Sequence, residues 1–224
     1  ESRTAAIQAR LDNLTKPQGS LGRLEELAKR YCLITGSDRP KIENKIIFTF
    51  AGDHGVTEEG VSAFPKEVTP QMVYNFIRGG AGVNVLAKHV GARVIVVDVG
   101  VDHEFEPADG LEIKKIGRGT RNMTKGPAMT RDEAERAVLS GVDMVEKYKT
   151  GLDIIGTGDM GIGNTTPSSA IVAVITGTDP EMVTCYVTGI DAASVINNVA
   201  IILSLIDANR PDRDDPPAVV AEVK

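Results

Sequence analysis

Two short runs of this sequence are rich in β-branched and aromatic residues: Lys45-Ile-Ile-Phe-Thr-Phe-Ala51 and Ala92-Arg-Val-Ile-Val-Val-Asp-Val99. Each run stops at a glycine. Continuous apolar runs of this length are typical of strands that are covered on both faces, as in a parallel sheet. Two weaker runs of the same character, residues 111–116 and 152–156, predict two further strands.

Helical patterns separate and surround these strands. The strongest covers residues 130–148, where Thr130 stands at the N-cap position and Asp132 and Glu133 fall at the positive end of the helix dipole. The other predicted helices cover residues 2–34 with a break at 17–19, 69–77, 81–89, 167–175 and 192–208. Strands that alternate with helices predict an α/β fold, a mainly parallel sheet with helices on both faces.

The chain divides into three predicted parts. Residues 1–40 form an N-terminal helical segment, residues 41–209 form the α/β domain, and residues 210–224 begin with a linker rich in proline and aspartate. The apolar stretch at 218–224 has the character of the opening of another buried element. We therefore expect a C-terminal segment that is truncated in this sequence.

Composition excludes several classes of protein. The chain has 224 residues, of which 42% are apolar and 25% charged, so it carries enough apolar side chains to fold. A net charge of −6 is unlike that of a nucleic-acid binder. Two distant cysteines exclude a disulfide scaffold. No membrane-spanning run and no opening signal segment is evident, so we expect a cytoplasmic protein without a membrane partner.

The candidate site residues follow the predicted strands, where doubly wound folds bind their ligands. Asp53 and His54 follow the first strand, and they fit a metal pair, an acid/base pair or, as the favoured interpretation, a capping pair. A glycine-rich stretch, residues 156–166, follows the fourth strand and leads into a helix. It fits an anion site at a helix N-terminus and an ordinary glycine turn about equally well.

Other motifs carry less information. Phe64, Met72 and Phe76 fit a slot for a flat ring, although an ordinary core patch is the better interpretation from composition alone. The glycine-rich stretch lacks the lysine of an ATP-binding loop. No GxSxG elbow supports acyl transfer, and H-E-x-x-H is absent, which argues against a zinc site.

Five blocks of the sequence, taken together and in order, resemble the nicotinate-nucleotide:5,6-dimethylbenzimidazole phosphoribosyltransferases. They are Lys16-Pro-Gln-Gly-Ser-Leu-Gly-Arg-Leu-Glu25, Ala51-Gly-Asp-His-Gly-Val56, Gly60-Val-Ser-Ala-Phe-Pro-Lys-Glu-Val-Thr69, Asn75-Phe-Ile-Arg-Gly-Gly-Ala81 and Gly158-Asp-Met-Gly-Ile-Gly-Asn-Thr-Thr166. The resemblance implies a Rossmann-like domain with a small helical subdomain, and a homodimer. It also implies transfer of the phosphoribosyl group of nicotinate mononucleotide to a benzimidazole, with no metal and no cofactor.

The resemblance also assigns roles to residues. It implies that the base lies against Asp53, Phe64, Gln71 and Met72. It implies that the nucleotide lies against Gly161, Ile162, Gly163, Asn164, Thr165 and Thr166, and against Thr188 and Gly189 of a second turn whose start is altered here. Asp159 replaces the glutamate that the family often carries before Met-Gly-Ile-Gly-Asn-Thr-Thr, and it is the candidate catalytic carboxylate.

One departure keeps a second function open. The family's main catalytic glutamate follows a Gly-Gly pair in a later segment, and this sequence stops before that segment. The alternative to an enzyme is therefore a truncated, non-catalytic module that binds the nucleotide or the base. A Gly-Gly…Glu segment after Val223 in the encoding gene would favour the enzyme.

Overall fold

The computed structural model describes residues 3–184 and 192–223, which form two compact units, Glu1–Glu43 and Asn44–Lys224. The first unit is a pair of helices, α1 (Arg3–Asp12) and α2 (Arg23–Thr35). The sequence predicted this break, because proline interrupts the helical pattern between them. Gly36, in the left-handed region at φ 68°, ends α2.

The second unit is built on a four-stranded parallel sheet, which confirms the predicted fold class. Its strands are β1 (Lys45–Gly52), β2 (Ala92–Gly100), β3 (Leu111–Ile113) and β4 (Ile154–Met160). The strand order is β3-β2-β1-β4, and every neighbouring pair is parallel. All four strands therefore end at the same edge of the sheet.

Helices connect and cover these strands. The helices of this unit are α3 (Val68–Ile77), α4 (Gly82–His89), α5 (Arg131–Tyr148), α6 (Thr165–Thr176), α7 (Pro180–Val183), α8 (Ala192–Asn209) and α9 (Pro216–Val223). A 3₁₀ turn at Gly55–Glu59 follows β1. Among the described residues, no helix is long and apolar enough to cross a membrane.

The two faces of the sheet carry separate cores, as the continuous apolar strands predicted. One core joins Ile46, Phe48, Ile95 and Val97 to Met144 of α5. The other face packs against α3 and the loop after β2, through Ala51, Val73, Val96, Val101 and Phe105. A third core lies among α6, α8 and α9 and contains the fully buried Leu205 and Val219.

The fourth strand differs from its prediction in a way that affects the site. The apolar run at 152–156 predicted a strand that ends at the first glycine, but β4 continues to Met160. Its backbone pairs with β1 throughout, so that Asp159 lies opposite Phe50. Glycine suits this close pairing, since a Cβ at Gly156 would lie 3.2 Å from the Ile47 side chain. The predicted third strand is also shorter, because it ends at Ile113.

The predicted linker ends earlier than its composition suggested. Helix α9 begins at Pro216, where Ala218 N–H donates to the Asp215 carboxylate in the first turn. Val219, Ala221 and Val223 are buried. The apolar stretch at the end of the sequence is therefore part of a packed helix in this fold.

Candidate functional site

Asp53 lies at the common end of the strands, directly after β1, and its surroundings hold it firmly. Its N–H donates to the Gly100 carbonyl at 3.0 Å, and its carbonyl accepts the Thr120 N–H at 3.0 Å. Its Oδ2 accepts the Asp102 N–H at 2.8 Å. The residue is 7% exposed, and its buried Oδ1 has no hydrogen-bond partner among the described residues. A buried acceptor without a partner is unusual in a folded protein and calls for an explanation such as a ligand or a water molecule.

Burial raises the pKa of the Asp53 carboxyl above its ordinary value, because the charged form is poorly solvated there. The Asp102 amide and the nearby Thr69 hydroxyl favour the charged form and partly oppose this effect. Asp53 consequently holds its proton to a higher pH than a solvated aspartate does.

An apolar cavity of about 340 Å³ opens beside Asp53, between the sheet and α5. Its walls are mostly aliphatic, aromatic and thioether side chains, including Phe50, Val99, Ile116, Met129, Val138, Met160 and Val220. Three carboxylates also line it, those of Asp53, Glu133 and Asp159. A space of this kind, apolar with a few acidic groups, suits a flat and largely apolar ligand that carries a hydrogen-bond donor.

A second, polar cavity of about 410 Å³ also borders Asp53. Phe64, Lys66, Asp102 and Arg118 are among its lining residues. The two cavities share Asp53, His54, Gly119 and Thr120. Asp53 therefore stands in the wall between an apolar and a polar space.

The cations of the polar cavity are held by exposed ion pairs. Lys66 Nζ lies 3.3 Å from Asp102 Oδ2, and an Arg118 guanidinium nitrogen lies 2.6 Å from Glu104 Oε1. Exposed pairs of this kind contribute about 0–1 kcal/mol, so they exchange partners at little cost. Both cations are available to an anionic group in that cavity.

The glycine turn, residues 161–166, follows β4 and packs closely on the end of β1. A Cβ at Gly161 would lie 2.2 Å from the Gly52 carbonyl oxygen. Gly163 has φ +81°, and a Cβ there would lie 3.0 Å from the Thr57 methyl group. Packing and backbone conformation therefore require both glycines, whatever the turn binds.

Three amides of the glycine turn are already bonded within the chain. Ile162 N–H donates to Thr69 Oγ1 at 3.1 Å, while those of Asn164 and Thr166 donate to carbonyls of the turn itself. This arrangement limits the amides that remain for an anion. Helix α6 begins at Thr165, so the last two residues of this stretch form its first turn.

Asp159 is the penultimate residue of β4 and lies next to the glycine turn. Its Oδ2 accepts the Asn164 side-chain N–H at 2.6 Å, and the residue is exposed. The structure thus brings Asp159, Asn164 and Asp53 to the same edge of the sheet. It places the Asp159 carboxylate in the lining of the apolar cavity.

The other predicted residues are more scattered. Phe64 is 54% exposed and lines the polar cavity. Gln71 is exposed and Met72 half-buried on α3, and the linings of the two cavities include neither. Phe76 packs against the core beneath α3, so these side chains do not form a common slot in the described part of the chain. Thr188 and Gly189 lie outside the described residues.

Several residues of the site carried no strong signal in the sequence. Gly119 and Thr120 reach the shared wall from a loop after β3, and Glu133 reaches the apolar cavity from α5. Asp102 could have been found from its place after the second predicted strand. In the ranges that the structure describes, no group of three or more His, Cys, Asp or Glu residues could hold a metal ion.

Comparison with known proteins identifies relatives of this chain. A family model described as "Phosphoribosyltransferase" matches residues 1–224. The nicotinate-nucleotide–dimethylbenzimidazole phosphoribosyltransferase of Geobacter sulfurreducens is 58% identical over 220 residues, which are 98% of this chain and 62% of that protein. The protein of the same name from Prosthecochloris aestuarii is 50% identical over 216 residues, which are 96% of this chain and 61% of the relative.

A solved structure is also similar to this chain. The crystal structure of CobT from Thermus thermophilus matches with a TM-score of 0.92 and 41% identity. The match covers 98% of this chain and 66% of that one. The present chain thus spans about three-fifths of the length of the curated relatives described above.

Proposed function

Because this chain belongs to the phosphoribosyltransferase family, we propose that its protein transfers the phosphoribosyl group of nicotinate mononucleotide to 5,6-dimethylbenzimidazole or a related base. The products are α-ribazole 5′-phosphate and nicotinate, and the reaction serves cobalamin biosynthesis. The observation that carries this proposal is the identity of 58% to a relative named for this reaction. The site at the strand ends supports the proposal, because it combines an apolar cavity, carboxylates and two cations.

The reaction requires one bond to form and one to break. A ring nitrogen of the base attacks the anomeric carbon of the ribose, and the bond from that carbon to the pyridinium nitrogen of nicotinate breaks. The bonding electron pair stays on the pyridine nitrogen and neutralises it. The base loses its N–H proton to a carboxylate, and the configuration at the anomeric carbon inverts. The pyridinium is already an activated leaving group, so the protein needs to supply mainly alignment and a proton acceptor.

The described residues divide these tasks between them. Asp53 offers a buried, unpartnered oxygen to the N–H of a base, beside an apolar cavity that fits a flat ring. Asp159 places a negative charge near the glycine turn, where it would stabilise positive charge that develops on the ribose. Lys66 and Arg118 offer cations to an anionic group in the polar cavity. Phe64 lines that cavity as well.

The resemblance supplies the remaining parts of the proposal. Gln71, Met72, Thr188 and Gly189 keep their assignments to base and nucleotide, and the protein is a cytoplasmic homodimer. The structure describes a single chain, so these assignments rest on the resemblance alone.

The test is nicotinate release by the whole protein. Purified protein is incubated with nicotinate mononucleotide, with and without dimethylbenzimidazole, and nicotinate is measured by chromatography. We expect release that depends on the base. Asp159→Asn should lower kcat about 100-fold with a smaller change in KM, because it removes a charge that acts in the transition state.

Asp143→Asn is the matched control, because this exposed aspartate on α5 pairs with Lys114 outside both cavities. It should retain the wild-type rate. Absence of base-dependent nicotinate release would overturn the transferase. Binding of the nucleotide or base without turnover would identify the protein as the non-catalytic module instead.

A further inference from the structure

Thr69 links helix α3 to the turn after β4 through one buried hydroxyl. It lies in the first turn of α3 with no exposed surface, and its Oγ1 accepts the Ile162 N–H at 3.1 Å. Ile162 belongs to the glycine turn after β4, 93 residues further along the chain. Thr69 thus ties the first turn of α3 to the glycine turn.

The glycine turn lies at the edge of the sheet where the parallel strands end. The glycine turn carries Asn164, which donates to the Asp159 carboxylate at 2.6 Å. Asp53 stands in the wall between the two cavities and has a free acceptor oxygen. The position of Asp159 relative to Asp53 therefore depends on where Thr69 holds the turn.

A hydroxyl is required for this link, since a methyl group can neither accept nor donate. Without it, the Ile162 N–H would be buried with no acceptor, which is strongly unfavourable. The turn would then move until that amide found another carbonyl or a water molecule. Small displacements of this kind matter for transfer reactions, because the reacting atoms must approach in line.

We propose that Thr69 is a positioning residue for the transfer reaction: its hydroxyl holds the glycine turn, and with it Asn164 and Asp159, at the edge of the sheet where Asp53 lies. This inference rests on the proposed function, since it assumes that the nucleotide lies at the turn and the base beside Asp53. Thr69 itself touches neither reacting atom. It acts by holding Ile162 and, through the turn, Asp159.

The experiment compares Thr69→Val and Thr69→Ser in the whole protein. Valine matches threonine in shape and lacks the hydroxyl, whereas serine keeps the hydroxyl and lacks the methyl group. We expect Thr69→Val to lower kcat roughly 100-fold with a smaller change in KM for the nucleotide, and to speed hydrogen exchange at the Ile162 amide. Thr69→Ser should stay within about threefold of the wild-type kcat and keep the amide protected.

Ser140→Ala is the control for loss of a buried hydroxyl elsewhere, because Ser140 donates to the Ala137 carbonyl within α5. It should leave kcat and the Ile162 amide unchanged. Equal losses of kcat in the valine and serine variants, or an unchanged kcat in the valine variant, would overturn the role of Thr69 in an active protein. A wild-type protein that releases no nicotinate would overturn the proposed function, and with it the reaction that Thr69 serves.

Discussion

Asp53 shows how a single residue acquires its chemistry from its position. In the sequence it is one acidic residue beside a histidine. In the fold its backbone bonds to Gly100 and Thr120, one carboxylate oxygen accepts the Asp102 amide, and the other is left without a partner among the described residues. Burial of this group raises its pKa. Those facts give Asp53 a higher affinity for its proton and make it a pH-dependent contribution to stability.

The pH dependence of that contribution is predictable. Because the folded pKa of Asp53 is raised, the folded protein binds this proton more tightly than the unfolded protein does. The resulting stabilisation is fully present below the ordinary pKa of 3.8 and is lost as the pH rises through the folded pKa. The free energy of unfolding of the wild type, minus that of Asp53→Asn, should therefore fall as the pH increases.

Denaturant unfolding of both proteins between about pH 3.5 and 7 measures this difference. Other carboxylates titrate in both proteins, so their effects cancel in the subtraction. A difference that rises with pH would show that hydrogen bonds to the charged carboxylate outweigh its burial.

Helix α5 shows how residues at the N-terminus of a helix fix where it begins. Thr130 Oγ1 accepts the Glu133 N–H at 3.2 Å, and Glu133 Oε2 accepts the Thr130 N–H at 2.7 Å. These two hydrogen bonds form a capping box. The bonds from Thr130 also lower the pKa of the Glu133 carboxyl. Since Glu133 lines the apolar cavity, the cap both begins the helix and positions a site residue.

Thr130→Ala should lower the free energy of unfolding by about 1 kcal/mol, because it removes the side-chain cap. The control is Thr150→Ala, an exposed threonine just beyond the other end of α5, which should change stability by less than about 0.5 kcal/mol. Urea unfolding at neutral pH compares the two variants. Equal losses would show that the cap contributes nothing particular to this helix.

At the scale of the sheet, the edge strand β4 is less covered than its neighbour β1. Among the described strands, β4 is an edge strand, and its Ile154 and Ile155 are exposed by 44% and 37%. Its neighbour β1 is paired on both sides, and each of its residues is buried or half-buried. An edge strand with exposed apolar side chains is a template for pairing with other chains.

Ile155→Lys should accordingly reduce the concentration-dependent association of the isolated 224-residue chain. Light scattering over a dilution series measures the associated fraction. Leu86→Lys is the matched control, because Leu86 is 71% exposed on α4, away from that edge. An equal reduction by both substitutions would indicate general hydrophobic association rather than pairing at β4.

Much of this architecture could be predicted from local sequence. The runs at 45–51 and 92–99 form β1 and β2 almost as predicted, because a continuous apolar strand is stable only when both faces are covered. Thr130 caps α5 as predicted, since a cap depends on neighbours within one turn. The ordered blocks also identified the family that the comparisons report.

Other features depended on contacts that no local pattern records. Strand β4 extends through its glycines to Asp159 because β1 lies beside it. Phe64 and Phe76 do not share one slot in the fold. Phe64 lines the polar cavity, whereas Phe76 packs against a core of the sheet.

By itself, then, the sequence determined the alternation of strands and helices, the cap of α5 and the family, because these follow from neighbouring residues and from ordered motifs. Only the tertiary structure decided that Thr69 bonds to Ile162, and that Asp53 lines two cavities. The physical reason is distance along the chain. Hydrogen bonds and burial act between groups that are close in space, and parallel strands bring together residues that the sequence keeps 93 positions apart.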